Sequence, residues 1–127
     1  MTAAPSAIKL HRRTQTLELQ FADASFNLPA EYLRVFSPSA EVRGHGVGQE
    51  VLQFGKKDVA ITDIQSQGNY AIRLVFSDGH NSGIFTWEYL HQLGTNQIDN
   101  WQSYLQQLHN AGKHREADVS VVKLIDP

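Results

Sequence analysis

The chain has 127 residues, no cysteine and a formal net charge of −2. That length is enough for one domain with a core of its own, and the near-neutral balance excludes the clustered basicity that general nucleic-acid binding needs. The absence of cysteine excludes disulfides, thiolate nucleophiles and cysteine-based zinc or Fe–S ligation. No apolar run reaches the roughly 20 residues of a membrane-spanning helix. The opening MTAAPSA has neither the basic nor the apolar region of a signal peptide. A cytoplasmic domain without membrane or nucleic-acid partners is the expectation.

Residues 1–7 are expected to form a flexible N-terminal tail. Ile8 and Leu10 alternate with Lys9 and His11 as in a short edge strand. Leu17, Leu19 and Phe21 share one face of the next strand, because side chains alternate along extended backbone. Asp23-Ala24-Ser25 turns the chain, and Phe26 and Leu28 return along a hairpin. Pro29 suits the start of a helix, in which Leu33 and Phe36 are expected inside with Tyr32 at the border. Ser37-Pro38-Ser39 ends that helix, and Gly44, Gly46 and Gly48 predict a shaped loop. After the polar turn at Gly55–Asp58 comes a strand over Val59–Ile64, with a bulge at Ile64 to restore its phase. The strongest strand pattern, Tyr70 to Phe76, places Tyr70, Ile72, Leu74 and Phe76 inward. Asp78-Gly79 closes its hairpin. Thr86 caps a helix carrying Trp87, Leu90 and Leu93, which Gly94 ends. Asn96 or Asp99 caps the last helix, with an apolar stripe of Ile98, Trp101, Leu105 and Leu108. Gly112 sits where a left-handed C-cap belongs. The tail, residues 116–127, reads as an extended segment.

The chain contains one pattern twice. A strand ending in Phe (Phe21, Phe76) is followed by an acidic turn (Asp23, Asp78), a short strand and then Glu-Tyr-Leu (Glu31–Leu33, Glu88–Leu90). The prediction is an α+β fold: antiparallel β-hairpins with helices packed on one face, in two strand-turn-strand-helix pseudo-repeats.

No nucleophile elbow is present, and Gly44-x-Gly46-x-Gly48 lacks the lysine and hydroxyl residue of a phosphate loop. The six histidines are scattered singly. Asp23 and Asp78 read as turn formers rather than an acid/base pair. Trp87, Tyr89 and Trp101 read as packing residues, and Tyr32 and Tyr89 hold matching places that could flank a shared groove.

Taken together, LPAEYLRVFSPSAEVRGHG, VAITDI, GNYAIRLVFSDGH and GIFTWEYL resemble the gamma-butyrobetaine hydroxylase-like N-terminal (DUF971) domain, over one domain at residues 8–115. The nearest likeness is to its small stand-alone bacterial members. In the larger hydroxylases the domain precedes an iron and 2-oxoglutarate oxygenase domain that this chain lacks, so the resemblance implies no catalysis. It also implies a zinc site of three cysteines in a Cys-x-Cys-x-x-Cys run plus one later histidine. Those positions fall on Ser37, Ser39, Val42 and His80. Hydroxyls are poor zinc ligands beside thiolates, and valine is none. The expectation is therefore a degenerate site with no cofactor, in which Val42 fills the space and Ser37 and Ser39 bond to backbone or to His80. A residual zinc or iron site at His80, His45 and Glu41 is the alternative.

Relatives carry this domain beside different chemistries, including ATPases implicated in Fe–S handling, which implies a docking unit rather than a catalyst. The expected function is a non-enzymatic binding or adaptor module for a protein partner. Its expected surface comprises Arg43, His45, His80, Tyr32 and Tyr89. A homodimer through Val119–Ile125 is a second route, and metal binding is the runner-up.

Overall fold

The computed structural model describes residues 2–44, 48 and 50–117. Two three-stranded antiparallel sheets, each followed by a helix, make an α+β fold. In the first, β1 (Ala7–His11), β2 (Thr16–Gln20) and β3 (Ser25–Pro29) form a meander that runs directly into α1 (Ala30–Val35). In the second, β4 (Ile61–Gln67), β5 (Ala71–Phe76) and β6 (Ile84–Thr86) do the same and run into α3 (Trp87–Thr95). Each repeat is thus one strand longer than the strand-turn-strand-helix pattern in the sequence. A short helix, α2 (Ala40–Arg43), lies between the units, and α4 (Gln97–Ala111) closes the described fold.

Alternation decides which faces are buried. Leu17 and Leu19 on β2, Leu28 on β3, and Ile72, Leu74 and Phe76 on β5 meet Leu33 of α1 and Leu90 and Leu93 of α3 in one core. Both sheets bury their apolar face there, the usual solution for strands with one apolar side. Gln15 ties the units together although it adopts a positive φ of 52°. Its carbonyl accepts from the Ala30 N–H at the start of α1, and its side-chain oxygen accepts from the Ile61 N–H that opens β4.

The duplication is visible in the contacts as well as the topology. Tyr32 of α1 donates its hydroxyl proton to the carbonyl of Leu93, at 2.7 Å. Tyr89 of α3 donates to the carbonyl of Phe36, at 2.5 Å. Each acceptor lies four residues beyond the other unit's tyrosine. Helix C-termini leave carbonyls without intrahelical donors, so each unit satisfies one at the end of the other's helix. A second reciprocal pair joins Asp23 to His91 and Asp78 to Arg34, the turn acid of one unit meeting a side chain on the other's helix.

Several expectations hold in detail. Thr86 caps α3 by accepting from the Tyr89 N–H, and Gly112 ends α4 in the left-handed conformation, φ 67°. Others are corrected. Tyr70 lies in the turn before β5 and is exposed, so the buried set of that strand begins at Ala71. The bulge falls between Ile61 and Asp63 rather than at Ile64. Gly94 does not end α3. It lies inside the helix, where a side chain would overlap the ring of Phe26. On α4 the buried residues are Tyr104 and Leu108, while Ile98 and Leu105 face outward. Helical phase rather than apolarity decides this, since Tyr104 can bury its ring and still find an acceptor for its hydroxyl. Ser6 is tied to the carbonyl of Gln20 by both its N–H and its hydroxyl, so the anchored chain starts before residue 8.

Candidate functional site

The segment after α1 crosses to the turn after β5 and brings a polar group into the interior. His80 is 5 % exposed, Ser37 1 % and Ser39 5 %. His80 Nε2 lies 2.8 Å from Ser37 Oγ and 3.3 Å from Ser39 Oγ, and Nδ1 lies 3.2 Å from Glu41 Oε2. The carboxylate can only accept, which places the proton on Nδ1 and leaves Nε2 to accept from the Ser37 hydroxyl. Burial lowers the His80 pKa below its ordinary value, and the nearby Arg34 guanidinium acts in the same sense. Glu41 and Asp78 oppose this without overcoming it. Glu41 also accepts from Ser82 Oγ at 3.0 Å, and that bond, with His80, lowers its pKa. Val42, 8 % exposed, packs as an ordinary apolar side chain.

Asp78 organises a second network beside the first. Arg34 Nε and Lys56 Nζ both reach Asp78 Oδ2, at 2.9 and 2.7 Å, while Asp78 Oδ1 accepts from the His80 N–H. Burial alone would raise the Asp78 pKa. Lys56, the His80 N–H and Arg34 outweigh it and hold it at about 2. Arg34 is buried and also donates to Gln53 Oε1 at 3.0 Å. Sequence reasoning missed this part: Asp78 passed as a turn former, and nothing in LPAEYLRVF marks Arg34 as facing inward.

The order Ser37–His80–Glu41 is that of a nucleophile, base and orienting acid. A nucleophile must be reachable, and this one is sealed. Ser37 is covered, and Gly83 packs so closely on its Oγ that even a methyl group there would overlap it. The arrangement acts as a hydrogen-bonded strut between α2 and the β5–β6 turn. Nor does the donor set fit the zinc that the family resemblance implies. Ser37 and Ser39 offer neutral oxygens, Val42 offers nothing, and Glu41 approaches the opposite ring nitrogen from the serines. Among the described residues no group of three His, Asp or Glu side chains converges on a metal-sized space.

The remaining expected site residues divide. Arg43, exposed at the end of α2, holds its guanidinium 5.0 Å above the Tyr89 ring. Tyr89 borders a groove of about 510 Å³ between the end of α1, α2, residues 50–53 and α4. Burial raises the pKa of Tyr89, and raises that of Tyr104, on the opposite wall, to about 12. Tyr32 does not share the groove: it is 1 % exposed and lies in the core against Phe36 and Trp101. Its expected place at the helix border fails because its hydroxyl finds an acceptor inside. His45 lies outside the described residues, as does Val119–Ile125.

A duplicated β-β-β-α domain with an interdomain-like polar strut and an open groove defines a class by architecture, not by reaction. The sequence matches the family described as gamma-butyrobetaine hydroxylase-like, N-terminal, over residues 8–91. The chain belongs to that family. Its fold is shared with a protein solved by NMR in solution, at 50 % identity and a TM-score of 0.82, covering 99 % of this chain and 100 % of the other. A second solution structure is similar at 45 % identity and a TM-score of 0.78, covering 91 % and 87 %. A crystal structure from Acidithiobacillus ferrooxidans, described as a DUF971 protein of unknown function, is similar at 37 % identity and a TM-score of 0.60, covering 71 % and 91 %. No curated protein matches. Among the described residues no helix is long and apolar enough to cross a membrane.

Proposed function

We propose that this domain is a non-enzymatic binding module that docks a protein partner on the face built by the end of α1, α2 and the Asp78–His80 turn. One observation carries the reading: both ring nitrogens of His80 are taken up by Ser37, Ser39 and Glu41, so the cluster stiffens a surface instead of presenting a reactive group. Arg43 stands exposed on that stiffened face beside Tyr89, and cations over aromatic rings are common anchors at interfaces. Capture of a partner from native extract by the wild-type chain, lost with Arg43→Glu and retained with Asp23→Ala on the opposite unit, is the expected result. Equal capture by the wild type and both variants removes the assignment to this face.

The second reading is a zinc- or iron-binding protein. Its support is that three of the four positions where the family places ligands, Ser37, Ser39 and His80, do meet within 3.3 Å. Elemental analysis of protein purified without chelators separates the two. Stoichiometric metal, lost on His80→Ala, favours this second reading, and metal-free protein that still captures its partner favours the first.

A further inference from the structure

In the groove beside the histidine strut most polar side chains are engaged by neighbouring groups, with two exceptions. Tyr89 spends its hydroxyl on the Phe36 carbonyl, and Tyr104 donates to the carbonyl of Gln53 at 2.7 Å. Gln53 accepts from Arg34 through Oε1 and donates to the Val51 carbonyl through Nε2. Both carboxylate oxygens of Glu50 accept from the Gly48 N–H, at 3.0 and 2.8 Å. What remains facing the space is mostly ring and aliphatic surface, with Val35, Phe36, Val42 and Leu52 among the walls. The exceptions are the neutral Gln107 and the charged Arg43. Among the described residues its guanidinium has no carboxylate within ion-pair distance.

We propose that this groove binds a small-molecule monocarboxylate with an apolar body. The body packs on Val35, Phe36, Val42 and Leu52, and the carboxylate pairs with Arg43, whose planar fork suits that group. A volume of about 510 Å³ falls in the range of small-molecule sites, which are apolar with a few placed polar groups. Charge selects further. A single cation neutralises a single negative charge, while a phosphate dianion would also face Glu50 on the same groove. The inference rests on the reading of this face as a binding surface and supplies it with a ligand class.

The test is a titration of the isotope-labelled full chain with decanoate below its micelle concentration, followed by amide chemical shifts. Decanol, decylammonium and inorganic phosphate are run in parallel. The expected result is saturable decanoate binding with shifts confined to residues 35–37, 42–43, 51–53 and 104. Arg43→Ala weakens decanoate at least tenfold and leaves decanol unchanged, Arg43→Lys recovers part of the loss, and Glu50→Gln strengthens decanoate severalfold. Arg43 is exposed, so these variants do not threaten the fold. Decanol, decylammonium or phosphate binding as tightly as decanoate overturns the proposal, as do shifts without saturation or an Arg43→Ala variant of undiminished affinity. If decanoate fails while protein capture still depends on Arg43, the ligand class falls and the docking face stands. If both fail, both fall.

Discussion

The turn after β2 and the turn after β5 hold the same place in the two units, and each begins with an aspartate that reaches across to the other unit's helix. Asp23 meets His91 in the open, with side-chain exposures of 70 % and 25 %. Asp78 meets Arg34 under cover, at 24 % and 8 %. Around Asp23 the His91 ring merely lies against Phe21 and Phe26. Around Asp78 the structure adds Lys56, His80, two serines and Glu41. The same kind of contact is thus a surface pair in one unit and the root of a polar interior in the other. Covering one copy with the segment from Ser37 to Arg43 is what makes the difference, because a charge taken from water must be matched by partners.

The sharpest test of that contrast is a matched pair of substitutions. Asp78→Ala leaves the Arg34 guanidinium buried without its carboxylate and is expected to cost about 3 kcal/mol in urea unfolding. Asp23→Ala should change stability by no more than about 0.5 kcal/mol. Equal costs would erase the distinction between the units. Gly94→Ala forces a methyl group into the Phe26 ring and should cost about 2 kcal/mol by the same measurement. An unchanged midpoint would mean that the packing of β3 on α3 is loose.

The reciprocal tyrosines probe what the units share. Tyr32→Phe and Tyr89→Phe should each cost about 1 to 2 kcal/mol, since each leaves a helix-end carbonyl without its donor. Tyr32→Phe should be the larger, because Asn100 Nδ2 also bonds to that hydroxyl. A last test is in pH. The folded state resists protonating His80 because its pKa lies below 6.5, so the unfolded chain binds more protons there. Stability should be fully present above pH 6.5 and decline below it. A further loss should come between pH 3.8 and about 2 as Asp78 protonates. Nuclear magnetic resonance of the His80 ring checks the first step: an apparent pKa at or above 6.5 would contradict burial of the neutral ring.

Much of the frame was legible in the sequence, because period-two alternation and the doubled Phe–Asp–Glu-Tyr-Leu pattern depend on backbone geometry alone. Leu17, Leu19, Ile72, Leu74 and Phe76 lie inside as their spacing requires. The errors gather where side chains are amphipathic. Tyr32 and Tyr104 went inside because each hydroxyl found a backbone carbonyl far away in sequence, while Ile98, apolar but off the buried arc of α4, stayed out. Arg34 was missed for a similar reason: its burial depends on Asp78, 44 residues away, and local pattern carries no trace of such a partner. The meeting of Ser37 and Ser39 with His80 was legible only through alignment to the family's ligand positions, since the three share no local periodicity.

The crossed tyrosine bonds make each unit depend on the other. One β-β-β-α unit by itself would carry a phenol with no acceptor and a helix end with no donor. Two identical copies around a two-fold axis would cure both defects through the bonds now made within one chain, as isologous pairing requires. Within this chain the two units therefore meet as the halves of an isologous pair do, each supplying the donor that the other's helix end lacks. Polypeptides carrying residues 2–44 and 50–117 should accordingly find each other in solution and refold as a heterodimer.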